Sequence, residues 1–252
     1  MKPKQYLINT LIGLLLASCS FTSATPTSQA DLSSPTAPPQ TPPGPATATR
    51  FATFTPSPTF TSTPYALYFT EDFNSDLTAW ESFQTGGSSV PKTTTENSLL
   101  RIDIASSNTW YYAIHHQHEY SSMAISAKVD GSPSGSIGLV CYYDELKGWY
   151  EFNIASDRTY SVLFGQWLAQ DIAQYTPIAT DTTGYLEAGR LDNIIGLTCQ
   201  GNTLFIYINN VLFRTLDVSR YGLTQGKIGI TASSFDEVPM SAFVDWVNIS
   251  EK

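Results

Sequence analysis

Charge is scarce in this chain. Only 14% of its 252 residues are Asp, Glu, Lys or Arg, and 13 basic residues face 22 acidic ones. The formal net charge of -9 excludes the basic footprint of a nucleic-acid-binding protein, so no nucleic-acid partner is expected. Cysteine and histidine number three each, and Cys141 and Cys199 by themselves offer too few soft ligands for a metal site. The one long apolar run, Tyr6 to Ala17, has 12 residues, short of the roughly 20 that cross a bilayer. No window of 12 or more residues carries apolar side chains at helical spacing, so helix is limited to a turn near Asp217 to Tyr221. There is no internal repeat, no Gly-x-Ser-x-Gly elbow and no phosphate loop. What is present, 42% hydrophobic and 13% aromatic residues, suffices for a folded domain.

Lys2 and Lys4 precede the apolar run, and Leu16-Ala17-Ser18-Cys19 closes it. A basic start and an apolar stretch of this length fit a secretory signal. Small residues directly before a cysteine resemble the lipobox of bacterial lipoproteins. The resemblance implies cleavage after residue 18, diacylation of the Cys19 sulfur and acylation of the new amine. An ordinary secretory signal with an incidental cysteine is the alternative. Two or three acyl chains, at about 0.8 kcal/mol per buried CH₂, would give stable anchoring. The expected location is the bacterial cell envelope, outside the cytoplasm, with the membrane as partner.

From Thr22 to Pro64, Thr, Pro, Ser and Ala fill 34 of 43 positions, and 10 of the chain's 15 prolines lie there. Such a segment has too little apolar surface to offset its ordering entropy. It reads as a disordered stalk with a maximal reach of roughly 130 Å at polyproline rise. Its Ser/Thr with Pro also suits O-glycosylation. The expected organisation is therefore a lipoprotein signal at 1–18, a disordered linker at 19–64 and a β-sandwich at 65–252.

Within 65–252, apolar residues alternate with period two. Leu100, Ile102 and Ile104 share one face of a segment. So do Met123, Ile125, Ala127 and Val129, and later Leu204, Ile206 and Ile208. Gln200-Gly201-Asn202 and Asn209-Asn210 read as hairpin turns. The pattern predicts an all-β fold of antiparallel sheets packed face to face. The motif order then becomes recognisable. Glu71-Asp72-Phe73 leads to Trp80, and Gly148-Trp149-Tyr150-Glu151-Phe152-Asn153-Ile154 follows later. Asn193-Ile194-Ile195-Gly196-Leu197, Gly226-Lys227-Ile228-Gly229-Ile230 and Phe243-Val244-Asp245-Trp246-Val247 complete the series. This order resembles the concanavalin A-like jelly rolls, and within them the 3-keto-disaccharide hydrolase-like family and laminin-G-type modules. The resemblance implies a two-sheet antiparallel jelly-roll sandwich. It speaks weakly about activity, because its motifs are structural ones.

Cys141 and Cys199 each lie among inward-facing residues of a predicted strand, in a compartment where disulfides persist. A disulfide between them is expected, and two buried free thiols are the alternative. His116 and His118 share a strand face, a spacing that can bind metal, but no third ligand sits at a convincing distance along the chain. Asp72 and Asp76 open a run that looks like the start of a calcium loop, without its glycine or closing Glu. A structural calcium joining Asp72 to Asp245 is the one cofactor considered, against an ordinary Asp-rich turn.

Glucanases of the jelly-roll superfamily carry a Glu-x-Asp-x-x-Glu string that this chain lacks, so no catalytic residue is assigned. Glu151 is the only carboxylate in the middle of a predicted central strand, and it shares a face with Trp149 and Asn153. That mixture suits a sugar, whose C–H faces stack on rings while polar groups bond the hydroxyls. Trp110, Tyr112, His116 and Tyr142 join these three as candidate ligand-binding residues, with core packing as the alternative for the rings. Trp149, Glu151 and Asn153 are expected to face solvent on a concave surface, with Tyr150, Phe152 and Ile154 inward. Three functions compete: a non-catalytic module binding an extracellular glycan, a glycan hydrolase, and an adhesion protein making protein contacts.

Overall fold

The computed structural model describes residues 65–169 and 172–252. The predicted signal, Cys19 and the linker lie outside the described residues. Among the described residues, fifteen strands follow one another. The first eight are β1 (Phe69–Glu71), β2 (Trp80–Gly86), β3 (Lys92–Thr95), β4 (Leu100–Ile104), β5 (Thr109–Tyr120), β6 (Ser122–Gly131), β7 (Gly135–Asp144) and β8 (Gly148–Ala155). The rest are β9 (Thr159–Ala169), β10 (Ile172–Thr182), β11 (Asn193–Gln200), β12 (Thr203–Ile208), β13 (Val211–Asp217), β14 (Gly226–Ser234) and β15 (Met240–Ser250). One 3₁₀ turn, Ser219–Tyr221, falls where the single helical turn was expected.

Two antiparallel sheets form the sandwich. The first runs β13-β12-β11-β6-β15-β4-β3, with β1 also pairing β15, and the second runs β10-β9-β8-β7-β14-β5-β2. Two-residue turns set the register of the β11–β12–β13 meander. Gln200 pairs Thr203 across Gly201-Asn202, and Ile208 pairs Val211 across Asn209-Asn210. Gly201, Asn209 and Asn210 have φ of 54°, 50° and 64°, the left-handed region that Gly and Asn tolerate and tight hairpins require. Pro177 sits in β10, an edge strand, where a missing N–H does least harm.

The period-two faces meet as expected. Leu100, Ile102, Met123, Ile125, Leu197, Leu204 and Ile206 from the first sheet bury against Ile137, Leu139, Tyr150, Phe152, Ile154 and Val162 from the second. Cys141 on β7 and Cys199 on β11 form a disulfide that ties the sheets through this core. Their Cα atoms are 6.6 Å apart, within the span such a bridge allows. Closing so long a loop contributes up to about 4 kcal/mol if its effect is mainly on the unfolded chain's entropy.

Candidate functional site

The second sheet curls strongly about its outer face. Its two edge strands, β2 and β10, come to face each other across the concavity. Thr85 on β2 and Tyr175 on β10 join the edges through hydroxyls 2.5 Å apart. Beneath that seam an aromatic plug fills the middle of the concave face. Tyr112, Ile114, Val140, Tyr143 and Trp149 form its buried part, with Phe83, Trp110, Trp167 and Tyr175 against them. Phe83 stacks on Tyr112 at 4.6 Å between centroids, and Trp110 stacks on Tyr175 at 5.5 Å. Trp149 meets Tyr112 edge-on at 5.2 Å and contacts Trp167 at the same separation. Its indole lies over Gly165 on β9, where any Cβ would collide with the ring, so glycine is what lets the plug seat.

Glu151 lies at the plug's centre and is fully buried. The Tyr112 hydroxyl and Trp149 Nε1 donate to its Oε2 at 2.7 and 2.9 Å, and Asn153 Nδ2 donates to its Oε1 at 2.9 Å. Burial raises its pKa above the usual carboxylate value, while these three donors pull it back down. Burial and then the Glu151 charge push the Tyr112 phenol well above its ordinary value, and burial and the same charge raise Tyr175 to about 12. Both phenols therefore keep their protons at neutral pH. A phenol has one proton. With Tyr112's committed to Glu151, Tyr112 accepts from Tyr175, 3.1 Å away. Hydroxyls thus run in a relay from the seam at Thr85 through Tyr175 and Tyr112 to the carboxylate.

The plug leaves a cleft on each side. The larger, about 460 Å³, is lined by Glu81, Phe83, Ile114, Tyr143 and Trp167, with Glu145 paired to Lys227 at 2.9 Å on its rim. The other, about 350 Å³, opens beside Trp110 and Phe235. The rest of its lining mixes hydroxyl and amide groups, Ser136, Asn153, Thr159, Ser161 and Ser233, with the apolar Ile154, Ala155 and Leu163, and the exposed Asp157 lies beside them. Ser136 and Ser233 bond to each other at 2.6 Å. Asn153 gives its Nδ2 to Glu151, and its buried Oδ1 has no partner. Gly138 on β7 makes room for that oxygen, since a side chain there would overlap it.

These positions correct several expectations. Trp149 and Glu151 do lie on the concave face, opposite Tyr150, Phe152 and Ile154, so the strand register is as expected. Yet both are fully buried and Asn153 is only 6% exposed, where solvent exposure was expected. The covering residues come from β2, β9 and β10, far from Trp149 in sequence. Tyr112 is buried in the plug with them. Tyr142 is not on this face. A bulge between Cys141 and Asp144, with Tyr142 at φ 53°, turns its ring into the main core, where its hydroxyl donates to the Ser121 carbonyl at 2.6 Å. Tyr143 takes the concave position instead. His116 lines neither cleft, and its Nε2 sits 2.7 Å from Gln117 Nε2. Trp110 and Asn153 are the predicted residues that line a cleft.

Asp72 accepts from the Asn74 amide at 2.6 Å, and Asp76 accepts from the Thr78 hydroxyl at 2.8 Å, as turn residues do. Asp245 is exposed on β15 beside Phe243 and Asp130, and Asp72 follows the end of β1, whose Glu71 pairs Val247 of that same strand in the first sheet. Among the described residues, no three His, Cys, Asp or Glu side chains are grouped to hold a metal ion.

Phe83, Thr85, Trp167 and Tyr175 were missed by sequence reasoning. Ala173 and Tyr175 share a face of β10 at period-two spacing, which is the one local signal that Tyr175 faces the concavity.

No protein-family profile matches the chain, and no curated protein sequence matches it. Solved structures do. A glycoside hydrolase family 16 endo-glucanase from Bacteroides ovatus is similar with a TM-score of 0.52 at 11% identity, over 72% of this chain and 99% of that one. A β-glucanase from Bacillus licheniformis has a TM-score of 0.50 at 14% identity, over 73% and 98%. A Bacillus subtilis protein with a galectin-like fold has a TM-score of 0.52 at 11% identity, over 73% and 98%. The architecture is that of the concanavalin A-like jelly rolls.

Proposed function

We propose that the protein is a non-catalytic carbohydrate-binding module, held at the cell envelope through lipid on Cys19. The observation that carries the binding reading is the cleft beside Trp110. It sets an aromatic ring beside four hydroxyls and one amide, with Leu163 and Phe235 adding apolar surface, the mixture that a sugar's faces and edges require. Two of the similar solved structures are glucanases, which supports a glycan as the ligand class.

Catalysis finds less support. A retaining glycosidase needs two carboxyl groups roughly 5 to 5.5 Å apart on either side of the bond to be broken. The concave face of β8 carries Trp149, Glu151, Asn153 and Ala155, a single acid. That acid is buried, and its partners are two aromatic side chains and an amide. Hydrolysis at the larger cleft is the second reading, because Glu81 and Glu145 both line it. Lys227 already pairs Glu145 there.

A glycan-array screen of wild type and Trp110→Ala tests the proposal. Wild type should bind a defined set of glycans, and the variant, compared well below a melting midpoint lowered by loss of the Tyr175 stack, should lose about 1 to 3 kcal/mol of that binding. Wild type that binds none of the array overturns the reading. New reducing ends released from a bound glycan would favour the hydrolase instead.

A further inference from the structure

The cleft beside Trp110 stops against the plug. Trp110 and Leu163 line it on that side, and behind them lie Tyr175, stacked on Trp110, and Glu151, which pairs Leu163 and accepts from Tyr112. Overhead, the Thr85–Tyr175 contact closes the gap between the two edges of the sheet. A polymer laid along the concave face would have to pass through this wall.

We propose that the cleft recognises the free end of a carbohydrate chain rather than a stretch of its interior. This rests on the glycan-binding reading above and narrows it to a ligand class. The terminal ring would stack on Trp110 and present its hydroxyls to Ser136, Ser161, Ser233 and Asn153.

Two features support this. The wall is not a loose side chain that a ligand could push aside. Tyr175 is held by Thr85 on one side and Tyr112 on the other, and displacing it would break a relay that ends on a buried carboxylate. The cleft, at about 350 Å³, is near the small end of the roughly 300 to 1,000 Å³ typical of small-molecule sites, which suits an end rather than a long segment.

The test uses titration calorimetry of the purified protein with linear β-glucan, xylan and fructan oligosaccharides. Each is supplied as a short chain, a long chain, and a short chain O-methylated at both terminal residues. For the linkage that binds, short and long chains should have the same affinity per chain, and terminal methylation should weaken binding by about tenfold or more. Tyr175→Ala opens the wall and should add an affinity that rises with chain length. The chain-end proposal is overturned if wild-type affinity grows with length and survives methylation, while the glycan reading then stands. If no chain of any length binds, the glycan reading itself falls, and this proposal with it. The wild-type comparisons decide the matter even if the Tyr175 variant does not fold.

Discussion

Glu151 accepts three hydrogen bonds, and a neutral amide meets them only if Asn153 turns over. Trp149 Nε1 is a donor only, so an amide nitrogen at the Oε2 position would face it, and one at Oε1 would need Asn153 to give up its present seat against Gly138. Glu151→Gln should therefore lower stability by about 1 to 3 kcal/mol, even though it removes a buried charge. Thermal melting measures this, and an unchanged or raised midpoint would show that desolvation of the carboxylate outweighs its bonds. Trp149 is the clearest case of a residue whose pattern was legible and whose fate was not. Its face followed from alternation along β8. Its burial depends on Trp167, Phe83 and Tyr175, contributed by three other strands. A solvent-facing platform and a plug residue look identical in a single strand's sequence.

At the scale of elements, the long alternating strands were readable because one face of each is buried in a common core. β4, β6 and β12 show this directly, as do the turns at Gly201 and at Asn209-Asn210. Alternation fails where a strand bulges. One extra residue in β7 reversed the sides of Tyr142 and Tyr143, and nothing in Gly138 to Tyr143 announces it. His115 shows how three elements meet at one side chain. It lies on β5, is 1% exposed, and contacts the rings of Trp80 on β2 and Phe69 on β1. Burial, then the neighbouring His118 and His116, lowers its pKa from 6.5 to about 4. The unfolded chain takes up this proton first as pH falls. The stability due to a neutral His115 is thus fully present above about pH 6.5 and is lost as pH drops towards 4. Urea midpoints measured on either side of that window should fall with acid in wild type, and fall less in His115→Phe. Equal slopes in the two proteins would refute the assignment.

For the molecule as a whole, the division between a Pro- and Thr-rich stretch and a β-rich one was plain in the composition, because the two have different capacities to bury surface. The anchor was legible only as a resemblance around Cys19. If it is correct, Cys19→Ala should move the protein out of the membrane fraction or leave an uncleaved precursor. Normal processing and membrane retention of the variant would rule the anchor out. The seam between β2 and β10 matters at this scale too. Cα atoms of the two strands come within 8 Å of each other. Another strand needs about 4.8 Å on each side, so none fits between them there. A sheet edge is ordinarily a template for pairing with another chain. Here the two edges guard each other around Thr85 and Tyr175. On the opposite sheet, β3 ends one side with four residues, and β13 ends the other with seven, Val211 and Leu212 exposed among them. When many copies crowd one surface, edge-to-edge association through this domain is directed to β13, longer than β3 and than the three-residue β1, whose outer side is also open.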